Sequence, residues 1–245
     1  MELNNENKIV VFTDGSSLGN PGPGGFGAVI LFQSTDTVIE IGEYEEKTTN
    51  NRMEITAAIE SLLAIKDKPG DVTIYTDSSY LLNGITKWIR GWERNGWQTK
   101  VKENVLNKDL WQRLDLLLKG REKAGKLTWK KVKGHSDVLG NQRADFIATS
   151  FAERSDVEFF HGKLDEYEKK FEGSLLDVPQ YKSSGSRKKA SPAYSYLSFI
   201  DGRIEKYKTW AECEKKVKGV KGAKYKKSLS AEDEKRIIKE WRSIM

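Results

Sequence analysis

Three apolar runs without helical periodicity precede the first stretch that has it, and this order limits the fold more than any other feature. KIVVFTDG (8–15) reads as a buried strand ending at a turn. GGFGAVILF (24–32) and TVIEIGEYE (37–45) read as two more, joined by QSTD. From 52 to 66 the residues Met53, Ile55, Ala58, Ile59, Leu62, Leu63 and Ile65 recur at helical spacing, and Pro69-Gly70 ends that helix. DVTIYTD (71–77) predicts a fourth strand and LTWKKV (127–132) a fifth. Helices are predicted from 78 to about 92, near 107–119, and from 140 to 151. Hairpins followed by alternating helices and strands predict an α/β fold: a mixed five-stranded sheet with helices on both faces. About 150 residues suffice to bury such a core.

Beyond it the chain changes character. Residues 153–179 are charged with scattered aromatics, among which Leu164, Tyr167 and Phe171 suit one helical stripe. YKSSGSRKKASP (181–192) has linker composition. Apolar residues then return. SYLSFIDGRIEKY predicts a hairpin turning at Asp201-Gly202, Thr209 is placed to cap a following helix, and AEDEKRIIKEW (231–241) predicts a closing helix. The expected division is 1–152, an extension and linker at 153–192, and a small α+β domain at 193–245.

Charge follows this division. Residues 1–179 hold 24 Lys and Arg against 28 Asp and Glu, 180–192 hold four basic residues and no acid, and 193–245 hold 14 basic against 8 acidic. Within the first part, 87–133 carries 14 basic against 5 acidic residues. Two basic regions point to a polyanion partner or to ordinary solvated lysine surface. A single cysteine, Cys213, excludes an internal disulfide and suits a reducing cytosol. No apolar run approaches 18 residues, so neither a membrane span nor a signal peptide is expected.

Four acids stand where sheet geometry gathers side chains. Asp14 and Asp77 end strands, Glu54 lies in the first helix and Asp145 early in the last. Strand ends and neighbouring helix starts meet at one rim of an open sheet. Any one of these acids alone suits a cap or a surface ion pair. Together, each in an apolar neighbourhood, they suit two divalent cations with hard oxygen ligands, Mg²⁺ or Mn²⁺.

TDGSSLGNPGPGGFGAVI, TTNNRMEITAAI, YTDSSYLLNGITKWI and VKGHSDVLGNQRADFIA resemble, in order and spacing, the signature blocks of the ribonuclease HI family. GWERNGWQTK followed by NKDLWQRLD is similar to the basic protrusion of its bacterial members. The resemblance covers 8 to about 152 and implies an RNase H-like fold that cuts the RNA strand of RNA–DNA hybrids, leaving 3′-hydroxyl and 5′-phosphate ends. It implies that Asp14, Glu54, Asp77 and Asp145 hold two Mg²⁺ ions, with Mn²⁺ as a substitute. Asp14 would bridge both, Asp145 hold the ion nearer the attacking water, and Glu54 and Asp77 the ion nearer the leaving oxygen. His135 matches the family's mobile catalytic histidine; His161 lies outside the blocks and is given no role.

The same resemblance implies RNA-strand contacts at Ser17, Asn20, Asn50 and Asn51, and a DNA-phosphate pocket at Lys47, Thr49 and Asn107. It also implies an aromatic channel for deoxyribose at Tyr80 and Trp92. Trp88 and Trp92 are four apart on one helix, so one is expected in the core, and Trp88 is assigned there. GNPGPGG lacks the Lys-Ser/Thr ending of a phosphate-cradling loop and reads as a hairpin device. Residues 193–227 resemble the small hybrid-binding domain of ribonucleases H1, usually N-terminal, with Tyr196, Trp210, Tyr225, Lys226 and Lys227 at its binding positions. Its expected partner is the hybrid duplex, with weak binding of double-stranded RNA, no membrane, and a cytoplasmic monomer. Two other readings stay open: a transposase- or integrase-type nuclease of the same fold, and a hybrid-binding protein without catalysis.

Overall fold

Strands β1 (Lys8–Ser17), β2 (Gly22–Phe32) and β3 (Thr37–Thr48) form an antiparallel meander in the computed structural model, which describes residues 7–99, 101–134, 137–179, 181, 193–200, 202–220, 222–228 and 230–242. β4 (Asp71–Thr76) runs parallel to β1, and β5 (Leu127–Lys131) parallel to β4. Helix α1 (Asn50–Ala64) connects β3 to β4. The stretch from β4 to β5 carries α2 (Ser79–Asn83), a π-helical turn at Gly84–Trp88, α3 (Ile89–Arg94) and α4 (Lys108–Arg121). Helix α5 (Leu139–Ala152) follows β5.

Strand periodicity of two sorts the apolar side chains between two cores. Ile9 and Val11 of β1, Ile30 of β2 and Ile74 of β4 pack with Ile55, Ile59 and Leu62 of α1 and Trp111 and Leu114 of α4. Their neighbours Phe12, Val29 and Leu31 pack on the other face with Leu139 and Ala144 of α5. Each fully buried Ile or Leu contributes about 1.5–3 kcal/mol through this burial.

The sheet has six strands, in the order β5-β4-β1-β2-β3-β6, where five were expected. The sixth, β6 (His161–Lys163), pairs antiparallel with the start of β3. Three residues, HGK, carry no apolar alternation, so the sequence gives no sign of it. Helix α6 (Leu164–Lys170) bears the expected stripe: Tyr167 is fully buried, and Leu164 and Phe171 pack beside it. Leu175 and Val178 continue along the same core. The stretch 153–179, set apart in the sequence, thus packs on the α5 face of the sheet. The predicted helix 78–92 is interrupted by the π-helical turn, which its apolar spacing does not signal.

The chain divides into two compact units, 1–181 and 182–245. In the second, β7 (Ser195–Ile200) lies between β8 (Arg203–Tyr207) and β9 (Lys224–Ser228), antiparallel to both. Helices α7 (Trp210–Val217) and α8 (Ala231–Arg242) complete it, with Leu197, Ile237 and Trp241 as its small core. Thr209 caps α7 as expected: its hydroxyl accepts from Glu212 N at 3.3 Å, and Glu212 accepts in return from Thr209 N at 3.1 Å. Of the expected turn pair, Gly202 takes φ +77°; Asp201 lies outside the described residues.

Candidate active site

The parallel register aligns Phe12 with Tyr75, so Asp14 and Asp77, each two residues further on, leave the sheet at one level. Thr49 starts α1 by accepting from Arg52 N at 3.4 Å, and Glu54 falls on the helix's buried side. Gly15 allows this approach: a Cβ there would stand 2.3 Å from the Glu54 backbone nitrogen, which no side chain tolerates. Asp145 comes from α5 and accepts from the Thr149 hydroxyl at 3.4 Å.

One carboxylate oxygen from each of Asp14, Glu54 and Asp77 lies within 4.8 Å of the other two. Asp145 stands outside that closest trio but lines the same cavity, about 200 Å³, with Ser16, Asn50 and Asn141. Burial, then Asp77 and Asp145, push the Asp14 carboxyl up to about 8 against a lowering bond from Gly15 N. Glu54 is raised well above the usual carboxylate range, first by burial, then by Asp14 and Asp77. Its Oε1 accepts weakly from Asn50 Nδ2 at 3.4 Å; its Oε2 and Asn141 Oδ1 are buried without a partner among the described residues. A buried carboxylate oxygen left unpaired is costly, and this group of hard oxygen donors fits divalent cations. Asn141 escaped the sequence reading, although it lies one helical turn before Asp145 on the same face.

His135 lies outside the described residues. Its neighbour Gly134 is held against the cluster: a Cβ there would meet Asp77 Oδ2 at 2.7 Å.

Of the remaining expected contacts, one stands at the cavity itself. Asn50 lines it, and Asn51 follows in the same turn of α1. Ser17 ends β1 with its hydroxyl on Gly19 O at 2.9 Å, and Asn20 is exposed in the β1–β2 turn. Lys47 is exposed near the end of β3. Arg52 clamps Asp109 through two bonds of 2.7 and 3.0 Å, tying the start of α1, with Thr49, to the start of α4, with Asn107. Asn107, at φ +59°, donates to the Tyr80 hydroxyl at 3.2 Å, as does Trp111 Nε1. The division of the tryptophans differs from expectation. Both rings are half-buried: Trp92 packs at the edge of the α1-face core and against the Trp111 ring at 5.5 Å, while Trp88, assigned to the core, lies between Tyr80 and Trp92 outside that cluster. The fully buried tryptophan is Trp111, whose helix the four-residue argument did not address.

In the second unit Trp210 stacks at a tilt between Tyr196 (5.8 Å) and Tyr225 (5.2 Å), and is 38% exposed. Tyr225 and Lys227 share a face of β9, in register with Ser198 and Tyr196. Lys226 does not join them. Strand alternation turns it to the other face, where it pairs with Glu240 of α8 at 3.3 Å.

The RNase H family profile matches residues 6–153, and a profile described as the ribonuclease H1 N-terminal domain matches 205–233. Over 143 residues the chain is 50% identical to a protein named ribonuclease H from Francisella philomiragia, covering 58% of this chain and 90% of that one. A ribonuclease H from Polaromonas naphthalenivorans is 50% identical over 147 residues, 60% of this chain and 88% of its own. Among solved structures, LC9-RNase H1 superposes with a TM-score of 0.57 at 26% identity, over 71% of this chain and 89% of that one.

Proposed function

The chain belongs to the ribonuclease H family, and from that premise we propose that it hydrolyses the RNA strand of RNA–DNA hybrids at the acidic cavity, using two Mg²⁺ ions held by Asp14, Glu54, Asp77 and Asp145. The observation that carries the reading is the trio of carboxylate oxygens within 4.8 Å, two of them on groups that burial and mutual repulsion hold above their ordinary pKa. Bound divalent ions supply activation of the attacking water and neutralisation of the leaving 3′-oxygen. By the family resemblance, Asp14 would serve both ions, Asp145 the one that activates the attacking water, and Glu54 and Asp77 the one that offsets charge on the leaving oxygen. Asn50, positioned by the α1 cap, orients Glu54 and offers its amide to the RNA strand. His135 shuttles a proton or assists product release. Products carry 3′-hydroxyl and 5′-phosphate ends.

RNA is distinguished from DNA by its 2′-hydroxyl. Ser17, Asn20, Asn50 and Asn51 are the short polar groups suited to test it, with Lys47, Thr49 and Asn107 on a DNA phosphate and Tyr80 and Trp92 against deoxyribose. The second unit grips the hybrid through Tyr196, Trp210, Tyr225 and Lys227, the rings packing sugars and the lysine a phosphate. It binds double-stranded RNA weakly. We place the enzyme in the cytoplasm as a monomer, consistent with the lone Cys213. Among the described residues no helix is long and apolar enough to cross a membrane.

Incubating the protein and Mg²⁺ with supercoiled plasmid and, separately, with an end-labelled hybrid tests this reading. Hybrid cleavage with the stated ends and intact plasmid is expected. Nicked plasmid with an untouched hybrid would favour a DNA-cutting enzyme of the same fold.

A further inference from the structure

β5 is an outer strand of the sheet, and two consecutive lysines end it. Lys130 Nζ lies over the Tyr75 ring at 5.5 Å. Lys131 Nζ lies over the Tyr181 ring at 5.5 Å and donates to the Ser79 hydroxyl. With Val178 and Pro179 these side chains line a cavity of about 290 Å³ that includes no carboxylate. Lysines on an edge strand also discourage pairing with another chain, but that role asks only that they reach into solvent. These two are instead drawn over aromatic rings, and among the described residues neither ammonium has a carboxylate partner. Tyr181 is 46% exposed. Lys131 is in register with Thr76, the residue before Asp77, so its backbone stands one strand spacing, about 4.8 Å, from the strand that carries a cluster acid. Tyr75 stacks on Phe12 at 5.0 Å and so serves to position Lys130, while Lys131 stands beside the half-exposed Tyr181; lysine ammoniums beside an accessible ring are the chemistry that binds a nucleic-acid backbone.

We propose that Lys130, Lys131 and Tyr181, with Tyr75 positioning Lys130, form an additional contact for the phosphodiester backbone, beside the cleaved bond on the β5 edge. This rests on the hybrid as substrate and extends the binding surface beyond the residues assigned above. The segment that packs along the α5 face completes the contact by delivering Tyr181.

The test is fluorescence anisotropy of a labelled hybrid with the full chain across a salt series, alongside steady-state cleavage. Lys130→Ala/Lys131→Ala should weaken binding roughly three- to tenfold, and flatten the slope of log affinity against log salt by about 2, near 0.9 for each lost phosphate contact. The loss should fall on KM more than on kcat. Lys130→Arg/Lys131→Arg should retain the slope. Lys66→Ala/Lys68→Ala removes the same charge before β4 starts, at the opposite end of that strand from Asp77, and should leave the slope unchanged. Wild-type affinity and slope in the Lys130→Ala/Lys131→Ala variant, or an equal loss in the Lys66→Ala/Lys68→Ala variant, would overturn the contact. Wild-type protein that binds hybrids but never cuts them would instead overturn the catalytic reading, and the binding slopes would still decide this one.

Discussion

A carboxylic acid at a buried strand end keeps its proton until something opposes the charge it would otherwise carry. Asp14 holds its proton to about 8 against an ordinary 3.8, because burial and the facing Asp77 and Asp145 disfavour the anion. Between those values the folded state binds more protons than the unfolded one, so metal-free stability should be highest below pH 4 as far as this group decides, and fall as pH rises toward 8. Glu54 acts in the same direction. Divalent ions should remove that loss. Thermal midpoints at pH 5.5 and 8 should therefore show a larger gain from Mg²⁺ at pH 8; an equal gain at both would contradict the assignment. Asp77→Asn keeps the shape but removes a ligand charge. It should abolish turnover in saturating Mg²⁺ while leaving hybrid affinity within a few-fold, as measured by anisotropy. At this scale the acids were legible in the sequence because two end apolar strands and two sit near the starts of apolar helices. Lys226 and the tryptophan pair were not, because motif position does not say which face of a strand or helix a side chain takes.

At the scale of elements, the interior of the first unit is tied together by one buried ion pair. Glu40 on β3 accepts from Arg143 at 2.7 and 2.9 Å, from the Tyr167 hydroxyl at 2.8 Å and from Phe160 N at 3.0 Å. The Glu40 side chain is fully buried. Four donors on one carboxylate join β3, α5, α6 and the strand-leading Phe160, and Arg143 stands two residues before Asp145. Arg143→Ala strands the carboxylate and should cost about 3–5 kcal/mol. Tyr167→Phe removes one bond to a charged acceptor and should cost about 1.5–3 kcal/mol. Urea denaturation checks the order; a milder loss for Arg143→Ala than for Tyr167→Phe would show that the pair is not the anchor. The main sheet and its helices were legible because periods of two and 3.6 are written in their apolar residues. β6 and the π-helical turn were not: the first is held by backbone pairing to β3, the second by packing around Trp111 that only tertiary contact supplies.

For the whole molecule, charge and chemistry are divided. Residues 1–179 are net acidic while 193–245 carry 14 basic residues against 8 acidic, so grip on a polyanion should depend on the second unit and chemistry on the first. A chain ending at Tyr181 retains the segment that covers the α5 face. It should still cut hybrids at saturating substrate, with a KM raised by up to about 10²-fold and a shallower salt dependence. Trp210→Ala should reproduce much of that loss; unchanged affinity in both would remove the hybrid-binding role of the second unit. The sequence reading ended the first domain at 152 because the attachment of 153–179 to it depends on a few aromatics, such as Tyr167, whose partner Glu40 lies more than a hundred residues earlier.

The proposed work of the four clustered acids is to hold divalent metal and to cut only the RNA strand of a hybrid. It is tested most directly by following both strands of RNA–DNA, RNA–RNA and DNA–DNA duplexes of one sequence, with Mg²⁺ and with the metal chelated. Cleavage of the RNA strand of the hybrid alone is expected, present with Mg²⁺ and absent without it. Cleavage that persists when metal is removed, or that falls equally on the DNA strand, would contradict it.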